Sequence, residues 1–417
     1  MIKSKYCPYK KVREFHIAAI QKDLIYNKYK DHDPYGLLFV PYEIKDDVIS
    51  GKIEPKPLIL RANKGEYIKI TLTNCFNEQI PFLEYPGVPV DKKITPSMRV
   101  GISTHFLRFD PVKDSSVNIG YNGEEQAVAP GESKTHLWYA DEEYGTCLLS
   151  SFTDIRNHRY HGLFGVIIIE PKGAKIYSSY DNGYKANHQE QVLVSAGKNE
   201  KFREFVLFMQ NGIRLVDKKG NLIQIAVEEE EPVEHGEPEI STQNTLNEEL
   251  AIEPVDFEDR GEKGFNYESE RFFNRLQHNP DISKVFSSKE HEDPSTPVLE
   301  AYPGEKVIIR LLMPADKPRN TSFTIHGHEW MAQPEDILTR IISTQGAISV
   351  GNVFNIELLN GASMIPGDYL YRSSIVKWDI ESGMWGILRI KDDDNKAISK
   401  KLDEKNVEKL REEASNN

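Results

Sequence analysis

Apolar and polar residues alternate along Ile68-Lys69-Ile70-Thr71-Leu72-Thr73, the period of two of a half-buried β-strand. Val166-Ile167-Ile168-Ile169 is instead a continuous β-branched run. It is closed by Glu170-Pro171-Lys172-Gly173, where a proline and a glycine end a strand abruptly. Phe205-Val206-Leu207-Phe208-Met209 and Val307-Ile308-Ile309-Arg310-Leu311-Leu312 share this texture. Short β-rich runs between turn signals, with few stretches of helical period, predict an all-β sandwich or barrel architecture.

The pattern also repeats. Pro57-Leu58-Ile59-Leu60-Arg61-Ala62-Asn63-Lys64-Gly65-Glu66 is echoed by Pro297-Val298-Leu299-Glu300-Ala301-Tyr302-Pro303-Gly304-Glu305. Gly162-Leu163-Phe164-Gly165-Val166-Ile167-Ile168 is echoed by Gly383-Met384-Trp385-Gly386-Ile387-Leu388-Arg389. Two copies of one unit predict two domains, 10–178 and 190–392. From about Val227 to Gly264 the chain is polar and rich in proline and glutamate, which predicts a long, mobile, acidic insertion in the second domain. The charged tail, 393–417, carries a thin apolar stripe of Ile398, Leu402, Val407 and Leu410, the pattern of a short C-terminal helix.

Composition narrows the classes of partner. A formal charge of −13 argues against nucleic acid and anionic membranes, which call for a basic surface. No apolar stretch approaches the roughly 18 residues of a membrane helix. The start, Met1-Ile2-Lys3-Ser4-Lys5-Tyr6-Cys7, has basic residues with no apolar run behind them, so no secretory signal is expected. Cys7, Cys75 and Cys147 form neither a disulfide framework nor a Cys-x-x-Cys pair, and a reducing compartment is the default. Cys147 reads as a small buried hydrophobe. Nucleophile-elbow, phosphate-loop and dinucleotide fingerprints are absent, and His326-Gly327-His328-Glu329-Trp330 lacks the spacing of a zinc protease.

Histidines are the remaining candidates. His326-Gly327-His328 follows the strand-like Ser322-Phe323-Thr324-Ile325, and residues two apart on a strand face the same side, so both imidazoles are expected to converge on one ion. His158 and His161 stand just before Gly162, and His105 lies in Ser103-Thr104-His105-Phe106-Leu107. Taken singly, a strand histidine is more often a hydrogen-bonded surface or core residue. Two to four imidazoles without a thiolate suit Cu(II) or Zn(II).

Thr324-Ile325-His326-Gly327-His328 and Glu381-Ser382-Gly383-Met384 resemble the C-terminal copper-binding region of multicopper oxidases. In the first copy, Val128-Ala129-Pro130-Gly131-Glu132 with Trp138-Tyr139, then Tyr144-Gly145-Thr146-Cys147, resemble the family's turn and ligand strand. Tyr26-Asn27-Lys28-Tyr29-Lys30-Asp31-His32-Asp33-Pro34 and Pro314-Ala315-Asp316-Lys317-Pro318-Arg319-Asn320 resemble, more narrowly, the bacterial oxidases linked to manganese oxidation. The resemblance implies two cupredoxin-like Greek-key β-sandwich domains and a copper-dependent oxidoreductase chemistry.

The ligand positions that the resemblance implies are largely replaced. The first domain keeps His105 of one pair, with Leu107 as its second member, and neither histidine of the pair at Phe152-Thr153-Asp154. In the second domain the ligand histidines fall on Thr321 and Thr324, the His-Cys-His segment on Ser373-Ser374-Ile375, and the last histidine on Asp379; Met384 stands at an axial position. The expectation is therefore a degenerate family member with a structural or accessory role. Residual, sub-stoichiometric copper, with zinc second, is expected at His326, His328, His105, His158 and His161. The alternative is an oxidase of metal ions or phenols, completed by oligomerisation or a partner chain. Expected partners are a second copy or a larger oxidase or coat assembly, in the cytoplasm or on a spore or cell surface.

Overall fold

The computed structural model describes residues 11–81, 95–155, 157–178, 182–197, 200–223, 261–315, 320–334, 336 and 338–392. Cys7, the acidic run from Val227 to Asp259, residues 316–319 and the predicted helix in 397–414 lie outside them. Strands dominate, and they form two face-to-face pairs of sheets.

In the first half one sheet runs in the order Leu37–Pro41, Val12–Gln21, Tyr67–Asn74, Ser133–Tyr139, Arg108–Phe109. The facing sheet runs Leu58–Asn63, Phe164–Glu170, Gly145–Ser150, Ser103–Thr104. The second half repeats the plan. One sheet runs Lys175–Ser178, Gln191–Ser195, Lys201–Ile213, Val307–Ala315, Val353–Glu357, and the other Val298–Ala301, Trp385–Ile390, Gly367–Arg372, Thr321–Ile325, Thr344–Ile348. The sequence echoes are thus structural equivalents. Leu58–Asn63 pairs in parallel with Phe164–Glu170, as Val298–Ala301 does with Trp385–Ile390.

The Gly-x-x-Gly echo has a steric cause. Gly162 and Gly383 have φ of 102° and 113°, a left-handed region that favours glycine. A Cβ on Gly165 would meet the Leu58 backbone oxygen at 2.8 Å, and one on Gly386 would meet the Tyr371 hydroxyl at 2.2 Å. Each closing strand therefore needs glycine to turn and then to pack.

Continuous apolar runs arise because the central strands are buried on both faces. Ile167 and Ile169 point into the first sandwich with Leu60, Ile70 and Trp138, whereas Val166 and Ile168 point toward the second half. Phe205, Leu207 and Met209 fill the second sandwich, while Val206, Phe208 and Leu312 meet Ile59, Phe164 and Ile168 between the halves. The segment Tyr26 to Asp33 straps this seam. Tyr26 O accepts from Ser269 N, Asp31 accepts from Arg271 and Asn274, and His32 bridges to Val216.

The period of two places four charged residues on that same inter-half face. Glu204 accepts from Arg61 at 2.8 and 3.0 Å and from Arg310 at 2.7 Å, and Arg310 reaches Glu170 at 3.4 Å. Arg61 and Arg310 are nearly buried, and both carboxylates are wholly so. Burial alone would raise Glu204, but the two guanidiniums prevail and hold it below the usual carboxylate range. Burial and the neighbouring Glu204 push Glu170 up, to about 8. Arg310 Nη1 also donates to Asn355 Oδ1, which accepts from the backbone and hydroxyl of Thr146, so the network ties both halves.

The structure moves two boundaries. Lys175–Ser178 was placed in the first domain, but it is the edge strand of the second half's sheet, paired with Gln191–Ser195. Gly264 was placed in the acidic insertion, but Glu262–Phe265 is a buried strand paired with Lys201–Ile213. Its charge misleads because it is compensated internally: Glu262 lies 3.7 Å from Arg271. Cys75 and Cys147 are free thiols, and Cys147 sits wholly buried in the first core, where desolvation pushes it up to about 12. Among the described residues no helix is long and apolar enough to cross a membrane.

The quartet makes a signed prediction. A carboxyl whose folded pKa is raised binds protons more tightly in the native state, so its contribution is full below the ordinary carboxylate range. It is lost as pH rises toward about 8. Thermal melts of Glu170→Gln should therefore lack this alkaline loss, with a melting temperature at pH 8 equal to or above wild type. Glu204→Gln leaves two buried guanidiniums without their carboxylate and should cost about 3–5 kcal/mol at neutral pH.

Candidate functional site

The pole of the second sandwich gathers the ligand-position residues. Strands Thr321–Ile325 and Gly367–Arg372 are neighbours, with Ile325 opposite Tyr371. Alternation along the latter turns Tyr371 and Ser373 inward and leaves Ser374 exposed. A short helical turn, Val376–Ile380, then brings Asp379 back over the strand ends, and Met384 N closes it on Asp379 O at 2.8 Å.

The result is a buried, hydrogen-bonded cluster. Ser373 Oγ donates to Asp379 Oδ2 at 2.6 Å and lies 3.0 Å from Thr321 Oγ1. Thr321 Oγ1 also donates to Asp379 Oδ2 and sits 3.8 Å from Met384 Sδ. All four residues are at most 3% exposed. The inward serine is Ser373. Ser374, central in the sequence reading, instead meets Thr324 Oγ1 at 3.1 Å on the outer face.

The first sandwich carries an equivalent cluster. His158 precedes Leu163 by five residues, as Asp379 precedes Met384, and Leu163 N bonds His158 O at 2.9 Å. Ser151 Oγ is 2.9 Å from His158 Nδ1 and accepts from Gly101 N at 3.2 Å. His158 Nε2 lies 2.8 Å from Ser97 O. A carbonyl only accepts, so Nε2 carries the proton and Nδ1 accepts from Ser151. Burial holds His158 below the ordinary histidine range. A neutral imidazole with both nitrogens engaged has no free lone pair for a metal ion.

The other candidate histidines are dispersed among separate partners. The reading that His326 and His328 share one strand face is corrected. The strand ends at Ile325, and Gly327, at φ 69°, turns the chain so that His326 is exposed and His328 buried. His326 Nε2 accepts from Arg372 Nε at 3.1 Å. His328 Nδ1 lies 3.0 Å from His326 O, and its Nε2 accepts from Ser363 N at 3.1 Å. Burial lowers both pKa values, with Arg372 adding to the effect at His326. A cavity of about 690 Å³ opens over the two rings, lined also by Thr324, Asn360 and Met364.

His161 Nδ1 donates to Asp33 Oδ2 at 2.7 Å, which binds the strap to the closing strand. His105 is exposed on a turn, its ring 6.4 Å from Phe152. Among the described residues no group of three or more His, Cys, Asp or Glu side chains is placed to hold a metal ion. The five predicted histidines are therefore not brought together.

No family model matches the sequence, and no curated protein is similar to it. Solved structures are similar. A multicopper oxidase is 17% identical over 91% of this chain and 89% of its own, with a TM-score of 0.50. A blue copper oxidase from Nitrosomonas europaea is 14% identical over 94% of this chain and 91% of its own, also with a TM-score of 0.50. At this identity the likeness shows the fold alone: all-β and cupredoxin-like.

The buried cluster predicts a contrast between neighbouring serines and their acceptor. Asp379→Ala strands two buried hydroxyls and should cost about 2–4 kcal/mol in denaturant unfolding. Ser374→Ala, on the exposed face, should change stability by no more than about 0.5 kcal/mol.

Proposed function

We propose that this protein is a multicopper-oxidase-like scaffold whose copper positions have become structural hydrogen-bond clusters. It acts as a structural or accessory component and does not run four-copper oxidation by itself. The observation that carries this reading is the donor set at the second pole. An electron-transferring type 1 copper takes two imidazoles and a thiolate, with a weak axial thioether. The resemblance puts Thr321, Asp379 and the segment Ser373-Ser374-Ile375 at those positions, with Ser373 the side chain turned inward, and leaves only the thioether of Met384.

Those residues do not fit the metal. Two neutral hydroxyls are poor ligands, and the carboxylate is already the acceptor for both. Cys147 does not replace the missing thiolate, because it sits in the first core and, among the described residues, no group of three or more His, Cys, Asp or Glu side chains is placed to hold a metal ion with it. Loss of ligands leaves the fold intact, since alternating apolar strands hold it together.

The setting we propose is a homo-oligomer or a larger oxidase or coat assembly. The resemblance of Tyr26–Pro34 to manganese-linked oxidases supports the second, with a catalytic partner carrying out any oxidation. Residual copper, if taken up, would be weak and confined to the surface around His326.

Metal analysis and the visible spectrum of the natively purified protein test this. Fewer than one copper per chain and no intense blue charge-transfer band are expected. A blue protein with four coppers per chain would overturn the reading.

A further inference from the structure

The edge of a sheet presents unpaired backbone N–H and C=O groups, and folded proteins guard such edges against other chains. Several edges of this protein are guarded. On strand Val298–Ala301 the Gln191 amide donates to Val298 O at 3.0 Å and accepts from Glu300 N at 3.2 Å. On strand Leu58–Asn63 His188 Nδ1 donates to Ile59 O at 2.7 Å. Lys175–Ser178 carries a lysine, and Ser103–Thr104 and Arg108–Phe109 are each two residues long.

Strand Thr344–Ile348 lacks these guards. It ends its sheet, paired on one side with Thr321–Ile325. Thr344, Gly346 and Ala347 are exposed. Among the described residues its one further backbone contact is local, from Gln345 Nε2 to Gly346 O at 3.2 Å. From Ile341 to Ile356 there is no charged residue and no proline, in a chain that is 28% charged, so neither usual deterrent stands on the edge. Ala347, at φ 53°, shifts the register and marks where straight pairing ends.

Apolar surface adjoins this edge. Trp330, Ile342 and Leu358 are neighbours in a small ribbon of strands, and all three turn toward the second core. Alternation then turns Met331, Ile341 and Leu359 outward, and Leu338, between the two ribbon strands, is 86% exposed. Ile341 stands just ahead of Thr344 in the chain, so the face and the edge are continuous. Exposed Glu329 and Arg340 flank them as a polar rim.

The absence of charge selects the occupant. Paired with itself about a two-fold axis, this strand sets no like charges opposite one another, and the contact closes on two copies. Pairing over a few residues covers too little for a stable dimer, which buries roughly 800 Å² per partner, so the outward apolar residues are needed beside it. We propose that a second copy of this chain docks here, by antiparallel pairing of residues 344–346, with Leu338, Met331 and Ile341 packed alongside. This deepens the homo-oligomer named above. Copper content tests that reading, whereas molecular mass tests this one.

Sedimentation velocity of the full chain is the experiment. A dimer is expected at micromolar concentration, with Thr344→Lys and Ile341→Lys each weakening association about tenfold or more. Both side chains are exposed, so melting temperatures should stay within a few degrees of wild type, and should one variant melt lower, the other is read. Lys175→Ala, on a guarded edge, should leave the dimer unchanged. A monomer at about 100 µM, a trimer, which a two-fold contact does not build, or association indifferent to both lysine variants would each overturn the proposal.

Discussion

The arrangement depends on the charge quartet buried between the two sandwiches. Arg61 and Glu170 come from adjacent parallel strands of the first half, Glu204 and Arg310 from adjacent parallel strands of the second. Taking such charges out of water is expensive, and their mutual attraction repays it only in the right geometry. The quartet therefore acts less as a source of stability than as a constraint on register. Sliding one sandwich against the other would break the Arg61–Glu204 and Arg310–Glu170 contacts that cross between the halves among Val206, Phe208 and Ile168. The surrounding apolar face supplies the attraction, and the quartet selects one docking.

With the halves fixed, each sandwich presents the same kind of pole. A strand end contributes a serine, a short turn contributes its polar partner, and a left-handed glycine leads into the closing strand. In the first half the pair is Ser151 and His158, in the second Ser373 and Asp379. A metal ion in such a position ties a loop to a strand through its ligands. Here hydrogen bonds do that mechanical task, which explains how the turns stay ordered around Thr321 and Met384. The internal symmetry extends to the poles, each of which is closed by buried polar contacts.

Much of the fold was legible in the sequence. Alternation marked Tyr67–Asn74 as a strand, and unbroken runs marked Phe164–Glu170 and Lys201–Ile213, although the second face of those strands became interpretable only once the halves were docked. The echo of Gly162 in Gly383 identified equivalent turns before their backbone angles were known. Glu262 and Lys263 were misread because charge suggests exposure, and the compensating Arg271 is distant in pairing though near in sequence. His326 and His328 were misread because strand periodicity was extended one turn too far, past Ile325. Ser373 could have been preferred to Ser374, since Tyr371 fixes the inward parity of that strand. The charge quartet was not legible, because no pattern within one strand reports what an opposite sandwich presents.

A copper ion at the second pole would have to sit among Thr321, Ser373, Asp379 and Met384. Anomalous diffraction at the copper edge, from crystals of natively purified protein, addresses that point directly. No copper peak should appear within bonding distance of the Met384 sulfur, and the Asp379 carboxylate should keep both hydroxyl contacts. A strong copper peak there, with Asp379 or Met384 as ligands, would contradict the account.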